Sequence, residues 1–470
     1  MNHFLSKPVR KHKCVGFVGL LQAGKTVLLT SLINHFRFHE PQRLPIGSKE
    51  CSVVELEHLP PCYAAEQFAY DDNRHELSEN RWPRKSLVMQ EYRALYTRTD
   101  WRLGVLDLSL LDIPGERLAD MLIARCEKFA GWSDQILSLL RQTPGFSHNC
   151  GEYFSHLEEL ATNTDAADNG DDFALVRAYR VLLAKMVLSA TNLVSPSSFL
   201  ITPSGEYVSK DVLSVSTEKL EETLAERQFC GVSAEEQFAP LSLPLRTKFP
   251  VLTATLAAAY DKYRKEVVLP FAQSLARCDE LFVLVDIATL LEAGVGMYNA
   301  TASMLDWLLR YTNPGFNSMA KTFDSILQFG TGGSFELSGI RRLVFVANKA
   351  DRVHEMDRGN LELLLRSLCQ PLIKKFQALR SLKVDFAVCS AVNSTRSEQT
   401  GGERYLQFLK GRDVIEPHRR QVPAVPTGWP DSWDASEYEF PRPLPWMPAN
   451  KMNPPEHIGL HRIAELIVSF

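Results

Sequence analysis

Gly19-Leu20-Leu21-Gln22-Ala23-Gly24-Lys25-Thr26 sets two glycines, a lysine and a hydroxyl at the spacing of a phosphate-binding loop. Such a turn aims the backbone N–H groups of Gly19, Leu21, Gln22, Ala23, Gly24, Lys25, Thr26 and Val27 at phosphate oxygens. The glycines relieve the side-chain clash that this curve imposes. Lys25 is placed to reach the β- and γ-phosphates, and Thr26 to give its hydroxyl to Mg²⁺. A second group follows at Asp112-Ile113-Pro114-Gly115-Glu116, where an apolar run ends in a carboxylate. Asp112 suits the Mg²⁺ shell, and Gly115 leaves its N–H open to a γ-phosphate because no side chain blocks it. Asp286 also ends an apolar run and competes with Asp112 for the metal. A third group, Asn348-Lys349-Ala350-Asp351, chooses the base. The Asp351 carboxylate can accept the N1–H and the 2-amino group of guanine, the Lys349 stem can lie over the ring, and Asn348 can brace the phosphate loop. Adenine offers neither donor. Ser390-Ala391 adds a turn whose backbone N–H can meet the guanine O6.

These groups need rigid supports. Cys14 to Val18 is a short buried strand before the loop, and Val27 to Phe36 carries Leu28, Leu29, Leu32, Ile33 and Phe36 at helical spacing. Extended stretches from Val88 and from Leu103 to Leu111 form a hairpin that delivers Asp112. Leu281–Val285, Arg342–Ala347 and Val384–Val388 are buried strands of parallel type, two of them ending at Asp286 and Asn348. The fold class is therefore α/β, with a mostly parallel sheet, one antiparallel hairpin and a large helical insertion. The boundaries are 1–116 for the first part of the nucleotide domain, 117–277 for the insertion, 278–410 for the second part, and 411–470 for a Pro-rich surface tail. Within the insertion, Ala119–Leu140, Phe173–Leu193, Glu218–Gln228 and Phe249–Leu275 have helical spacing. Pro41 to Trp82 lacks periodicity and reads as a surface segment. The amphipathic Gly459–Val468 helix is expected to dock on the chain's own sheet.

Composition narrows the classes. A chain of 470 residues with 45% apolar content can build a large core, and a net charge of −4 argues against a nucleic-acid binder. The basic start, Lys7, Arg10, Lys11, His12 and Lys13, reads as a solvated, mobile terminus. Nine cysteines without a Cys-x-x-Cys pair read as reduced thiols in a cytoplasmic protein. The longest apolar run, Leu281–Leu291, is too short to span a bilayer, so no transmembrane segment is expected. The acidic loop Asp165–Asp172 fails the calcium-loop spacing, because Ala167 and Val176 fall where ligands are required.

The ordered motifs resemble those of Ras-like GTPases, a class of P-loop NTPases. More closely, the phosphate loop, Trp82-Pro83 ahead of Ser86, the Asp112–Glu116 turn, the long insertion and Asn348–Asp351 resemble the YcjX family of bacterial P-loop NTPases, over nearly the whole chain. That resemblance implies GTP and GDP binding, Mg²⁺, slow hydrolysis, and a nucleotide-dependent switch in the phage-shock stress response. It also implies a cytoplasmic location, peripheral at the inner membrane, and a membrane-protein partner. The chain departs from the Ras-like pattern at two points. No Thr stands at the usual first-switch spacing; Ser86 is the candidate metal hydroxyl, with Thr97 and Thr99 as rivals. Glu116 stands where Gln often orients the attacking water, and is either catalytic with Lys25 or a displaced spectator. Leu21 is bulky enough to crowd an arginine finger. Arg81, Arg84 and Arg117 are the nearby arginines. The rival functions are a P-loop ATPase or nucleotide kinase, and a non-catalytic scaffold stabilised by nucleotide.

Overall fold

The computed structural model describes residues 9–19, 23–47, 51–63, 65–83, 88–101, 104–141, 150–162, 172–188, 195–200, 233, 236–311, 340–376, 382–409, 419–433, 437–448 and 453–468. The strands are β1 (Val9–Gly19), β2 (Val53–Leu59), β3 (Glu66–Gln67), β4 (Gln90–Arg98), β5 (Gly104–Asp112), β6 (Glu280–Val285), β7 (Arg342–Ala347), β8 (Lys383–Val388), β9 (Thr395–Thr400), β10 (Glu403–Phe408) and β11 (Arg419–Gln421). The helices used below are α1 (Lys25–Arg37), α2 (Tyr70–Ser78), α3 (Met121–Arg125), α4 (Phe129–Arg141), α5 (Gly151–Thr162), α6 (Asp172–Leu188), α7 (Leu243–Lys248), α8 (Pro250–Tyr263), α9 (Leu269–Ala276), α10 (Ile287–Tyr311), α11 (Arg358–Phe376) and α12 (Leu460–Val468).

The chain divides into two compact units, one made of Met1–Gly115, Ser274–Val295 and Thr322–Phe470, the other of Glu116–Gln273 and Gly296–Lys321. In the first, the sheet order is β2-β4-β5-β1-β6-β7-β8, with β3 beside β4. β5, β1, β6, β7 and β8 run parallel, whereas β4 is antiparallel to both β5 and β2. All six residues of β6 are buried, as a strand covered on both faces requires. From β1 the chain turns first toward β5 and later toward β6. The switch in strand order therefore falls at the end of β1, where open α/β sheets take their ligands.

Three expectations need correction or extension. The Pro41–Trp82 stretch contributes β2 and α2 rather than only surface loop. In β2 the adjacent, exposed Glu57 and His58 interrupt the Val and Leu residues, a charged edge that hides the apolar pattern while discouraging pairing with other chains. Ala119–Leu140 is broken at 126–128 into α3 and α4. The basic start is not a free terminus: β1 begins at Val9, Arg10 reaches Asp107 at 2.6 Å, and Lys13 is buried 2.9 Å from Glu280. The carboxylates that make this possible lie far along the chain, so a local reading cannot see them. Lys7, residues 165–171 of the acidic loop and Glu218–Gln228 lie outside the described residues.

Lys13 and Arg342 also finish α12. Its last carbonyls lack intrahelical donors, and Lys13 Nζ donates to Ile467 O at 2.6 Å while Arg342 Nη1 donates to Leu466 O at 3.1 Å. Leu460, Ile463 and Ile467 join α1 and the strands in one apolar core, so α12 docks on the chain's own sheet. Gly459 makes the entry possible, with φ 66° and no space for a Cβ, which would collide with the Val388 carbonyl. Gly459→Ala is therefore expected to cost about 2–3 kcal/mol by combining left-handed strain with a backbone clash. A urea melt in which the variant matches the parent would refute this.

His35, buried on α1, donates from Nε2 to Pro455 O at 3.1 Å and packs edge-on against His457 at 5.0 Å. Burial first, then the His457 ring, lowers its pKa from 6.5 to about 3. Below pH 6.5 the unfolded chain takes a proton that the folded chain refuses. Stability then falls as pH drops toward 3, by up to about 1.4 kcal/mol per pH unit from this group. Urea midpoints at pH 7.0, 5.5 and 4.5 should show a shallower acid slope for His35→Gln than for the parent; parallel slopes would count against the assignment.

The second unit is an aromatic core. Trp132 lies 5.0 Å from Phe238 and 5.4 Å from Tyr260, ring centre to ring centre. A buried carboxylate, Asp120, accepts from Ser195 Oγ, Ser197 N, Ser197 Oγ and Tyr263 OH at 2.6–3.0 Å. β9, β10 and β11 form a small antiparallel sheet in the first unit. The Pro-rich stretch beyond it is irregular but pinned: Trp429 Nε1 donates to Leu364 O and Trp433 Nε1 to Leu291 O. The eight described cysteines are free thiols. Among the described residues no helix is long and apolar enough to cross a membrane.

Candidate functional site

β1 ends at Gly19, and α1 begins after Gly24, whose φ of 82° is left-handed. A Cβ on Gly24 would sit 2.8 Å from Asn348 Nδ2, so glycine is required twice over, by conformation and by space. Leu28 N donates to Gly24 O, but the earlier N–H groups of α1 have no intrahelical acceptor. No side chain caps them and no acidic residue stands in the first turn. That leaves an electropositive helix end suited to an anion. Leu21 and Gln22 lie outside the described residues, as does Leu20. Ala23 and Val27 flank the loop, Ala23 buried and Val27 half-buried.

β5 delivers the second group. Asp112 is opposite Phe17 on β1 and fully buried, and Thr26 Oγ1 donates to its Oδ2 at 2.7 Å. Gly115 approaches the end of β1 so closely that a Cβ would collide with the Gly19 carbonyl, and it would lie 3.4 Å from Lys25 Nζ. Lys25, Thr26, Asp112 and Gly115 thus meet at one sheet end. A hydroxyl and a carboxylate in contact are hard oxygen donors and fit Mg²⁺ in preference to a thiolate-seeking metal. Glu116 stands in the turn Gly115–Leu118, immediately after these groups.

Asp286 does not share that place. Lys349 Nζ lies 3.0 Å from its Oδ2, and Arg352 Nη1 reaches both its oxygens at 3.2 and 3.1 Å. Burial would raise its pKa, but Lys349 and Arg352 hold it down to about 2. Of the two carboxylates, Asp112 is the one in contact with Thr26 of the phosphate loop, whereas Asp286 is engaged by Lys349 and Arg352. Thr97 and Thr99 are also displaced. Gln90 is the residue opposite Asp112, so Thr97 stands at the far end of β4 and Thr99 just beyond it, where Thr99 Oγ1 accepts from Ser52 N. Ser86 and Arg84 lie outside the described residues. Arg81 pairs with Glu76 at 2.8 Å, and Arg117 donates to Ser198 Oγ at 2.7 Å while lying 3.9 Å from Asp120.

The base group sits where β7 ends. Asn348 N donates to Val285 O, and its Nδ2 donates to Ala23 O at 2.7 Å, which joins this group to the phosphate loop. Asp351 is buried, and burial raises its pKa. Its carboxylate accepts from Ser390 Oγ at 2.6 Å and, at 3.4 Å, from Ser394 N. Ser390 N donates to Ile458 O at 2.8 Å, whereas no described residue accepts from the Ala391 N–H. Ser31 Oγ, on α1, donates to Ala391 O at 2.6 Å and holds that turn against the phosphate side. Arg352, the most heavily bonded residue here, carries no motif signature.

A family model described as the YcjX-like family, DUF463, matches residues 14–469. A relative from Escherichia coli strain K12, named Ras-like GTPase YcjX, is 22% identical over 493 residues, covering 100% of this chain and 97% of the relative. A second, from Shewanella oneidensis and of the same name, is 23% identical over 470 residues, covering 93% and 89%.

Proposed function

The chain belongs to the YcjX-like family, and from that premise we propose that it binds GTP and GDP and hydrolyses the β–γ phosphoanhydride bond of GTP. The observation that carries this reading is the bond from Asn348 Nδ2 to Ala23 O, which couples a guanine-type motif to a phosphate loop within one ligand's reach. Names of the two relatives point the same way.

In this reading the open end of α1 and Lys25 neutralise the phosphates, and the Gly115 N–H meets the γ-phosphate. Thr26, Asp112 and Ser86 would hold Mg²⁺, which when bound offsets charge on the β- and γ-oxygens. Asp351 accepts from the guanine N1–H and 2-amino group, Lys349 covers the ring, and Ser390 holds the Asp351 carboxylate. The amide of Ala391 meets O6. Glu116 orients water for in-line attack. Hydrolysis is slow, because a carboxylate replaces the amide usual at position 116 and because Arg81 and Arg117 are engaged by other side chains. Speed then depends on an arginine from a partner. The protein acts as a nucleotide-dependent switch in a bacterial stress response, with a membrane-protein partner, and works in the cytoplasm at the inner membrane. An ATPase reading gains nothing from Asp351, because adenine has no donor at positions 1 and 2, where guanine offers N1–H and the 2-amino group.

The test is titration of GTP, GDP and ATP analogues with Mg²⁺, followed by phosphate release from GTP. Guanine nucleotides are expected to bind at least about a hundredfold more tightly than ATP. Equal binding would sink the guanine assignment, and tight GTP binding with no turnover would favour the scaffold.

A further inference from the structure

Asp286 ends β6, and its carboxylate gathers donors from three directions. Besides Lys349 and Arg352, Thr289 gives its N–H to Oδ1 at 3.0 Å and its hydroxyl to Oδ2 at 2.8 Å, so the same carboxylate caps α10. Arg352 is itself locked. Its Nη2 donates to both Glu292 oxygens at 2.8 Å, and its Nε donates to Pro441 O at 2.9 Å. The Phe440 N–H closes the circle by donating to Glu292 Oε1 at 2.8 Å.

A purely structural ion pair needs only Arg352 and Asp286. Lys349 is in excess of that need, and its geometry is unusual. Its backbone is left-handed at φ 59°, its side chain is one-third exposed, and its Cε lies 3.7 Å from where a Cβ on Gly24 would stand. The stem thus runs past Gly24 with both ends fixed, the backbone at the end of β7 and the ammonium on Asp286. A free lysine stem samples many rotamers and loses that freedom when a ligand packs against it; one already fixed does not.

We propose that Asp286 and Arg352 are positioning residues of the guanine site: Asp286 anchors the Lys349 ammonium so that its stem is preset over the purine ring, and Arg352 holds Asp286 for that task. Arg352 also follows Asp351 directly, so its anchoring fixes the backbone that carries the base-reading carboxylate. This rests on the guanine reading given above.

The experiment is a double-mutant cycle on the full chain, read by titration of fluorescent GDP and GTP, with parent, Asp286→Asn, Lys349→Met and the double variant. Each single change should weaken GDP and GTP alike, by about tenfold, because the effect lies on the base and not on the γ-phosphate. Adding Asp286→Asn to Lys349→Met should cost less than about twofold more. A structural role would give the same factor in both backgrounds, so multiplying factors with guanine preference intact overturn the positioning role alone. A parent that binds ATP as well as GTP overturns the guanine reading and this proposal with it. If Asp286→Asn does not fold by near-ultraviolet circular dichroism, Asp286→Ser with Arg352→Gln keeps the helix cap, removes both charges together and runs the same cycle.

Discussion

Asp351→Asn is expected to lower GTP and GDP affinity by about a hundredfold or more and to leave the weak binding of ATP unchanged. The carboxylate is buried and engages Ser390 Oγ at 2.6 Å, so it is held in one orientation. Guanine offers two parallel donors, N1–H and the 2-amino group, and a carboxylate offers two acceptors to match them. An amide turns one of those acceptors into a donor, which then faces the 2-amino group. The same change should improve binding of a purine that carries oxygen at position 2, since the new NH₂ can donate to it. Burial also raises the Asp351 pKa, so its charge depends on Ser390 and on what binds there. Ser390→Ala should therefore reproduce part of the loss. Titration of GTP, ATP and xanthosine triphosphate decides the matter: unchanged GTP preference in Asp351→Asn would remove Asp351 from base recognition.

The sequence disclosed what local chemistry could carry. Gly24, Lys25, Thr26, Asp112, Gly115 and Asn348–Asp351 announce themselves because each motif pairs a backbone demand with a side-chain function within a few residues. β6 and β7 were equally plain, as apolar runs ending in polar residues. What stayed hidden depends on partners far apart in the chain. Lys13 reads as a solvated charge until Glu280 and the α12 carbonyls are brought to it. β2 reads as a polar loop because an edge strand needs only one apolar face. Asp286 and Asp112 look alike as strand-ending acids, and they separate only because Thr26 meets one while Lys349 and Arg352 meet the other. Arg352 has no signature at all, since its role comes from side-chain acids sixty or more residues upstream and from the carbonyls of Phe440 and Pro441.

Lys25→Ala should produce the other large effect, a loss of GTP turnover of at least about a hundredfold with folding intact. Lys25 opens α1 and its Nζ stands where Gly115, in the turn after β5, comes up against the Gly19 carbonyl. Its ammonium is thus the cation at the meeting point of the phosphate loop and the turn that precedes Glu116. A point charge there serves the β- and γ-phosphates and strengthens as charge moves toward the leaving oxygen, so its removal should reduce turnover more than it reduces GDP affinity. Lys25→Arg should not restore activity. Even a Cβ built on Gly115 would come within 3.4 Å of Lys25 Nζ, so the ammonium stands close beside this turn, and a broader planar guanidinium would press on it. The measurement is single-turnover phosphate release at saturating GTP beside a GDP titration for parent, Lys25→Ala and Lys25→Arg. Turnover retained in Lys25→Ala would place the chemistry elsewhere in the molecule, and full rescue by arginine would show that charge alone, without the close fit against Gly115, is what the reaction needs.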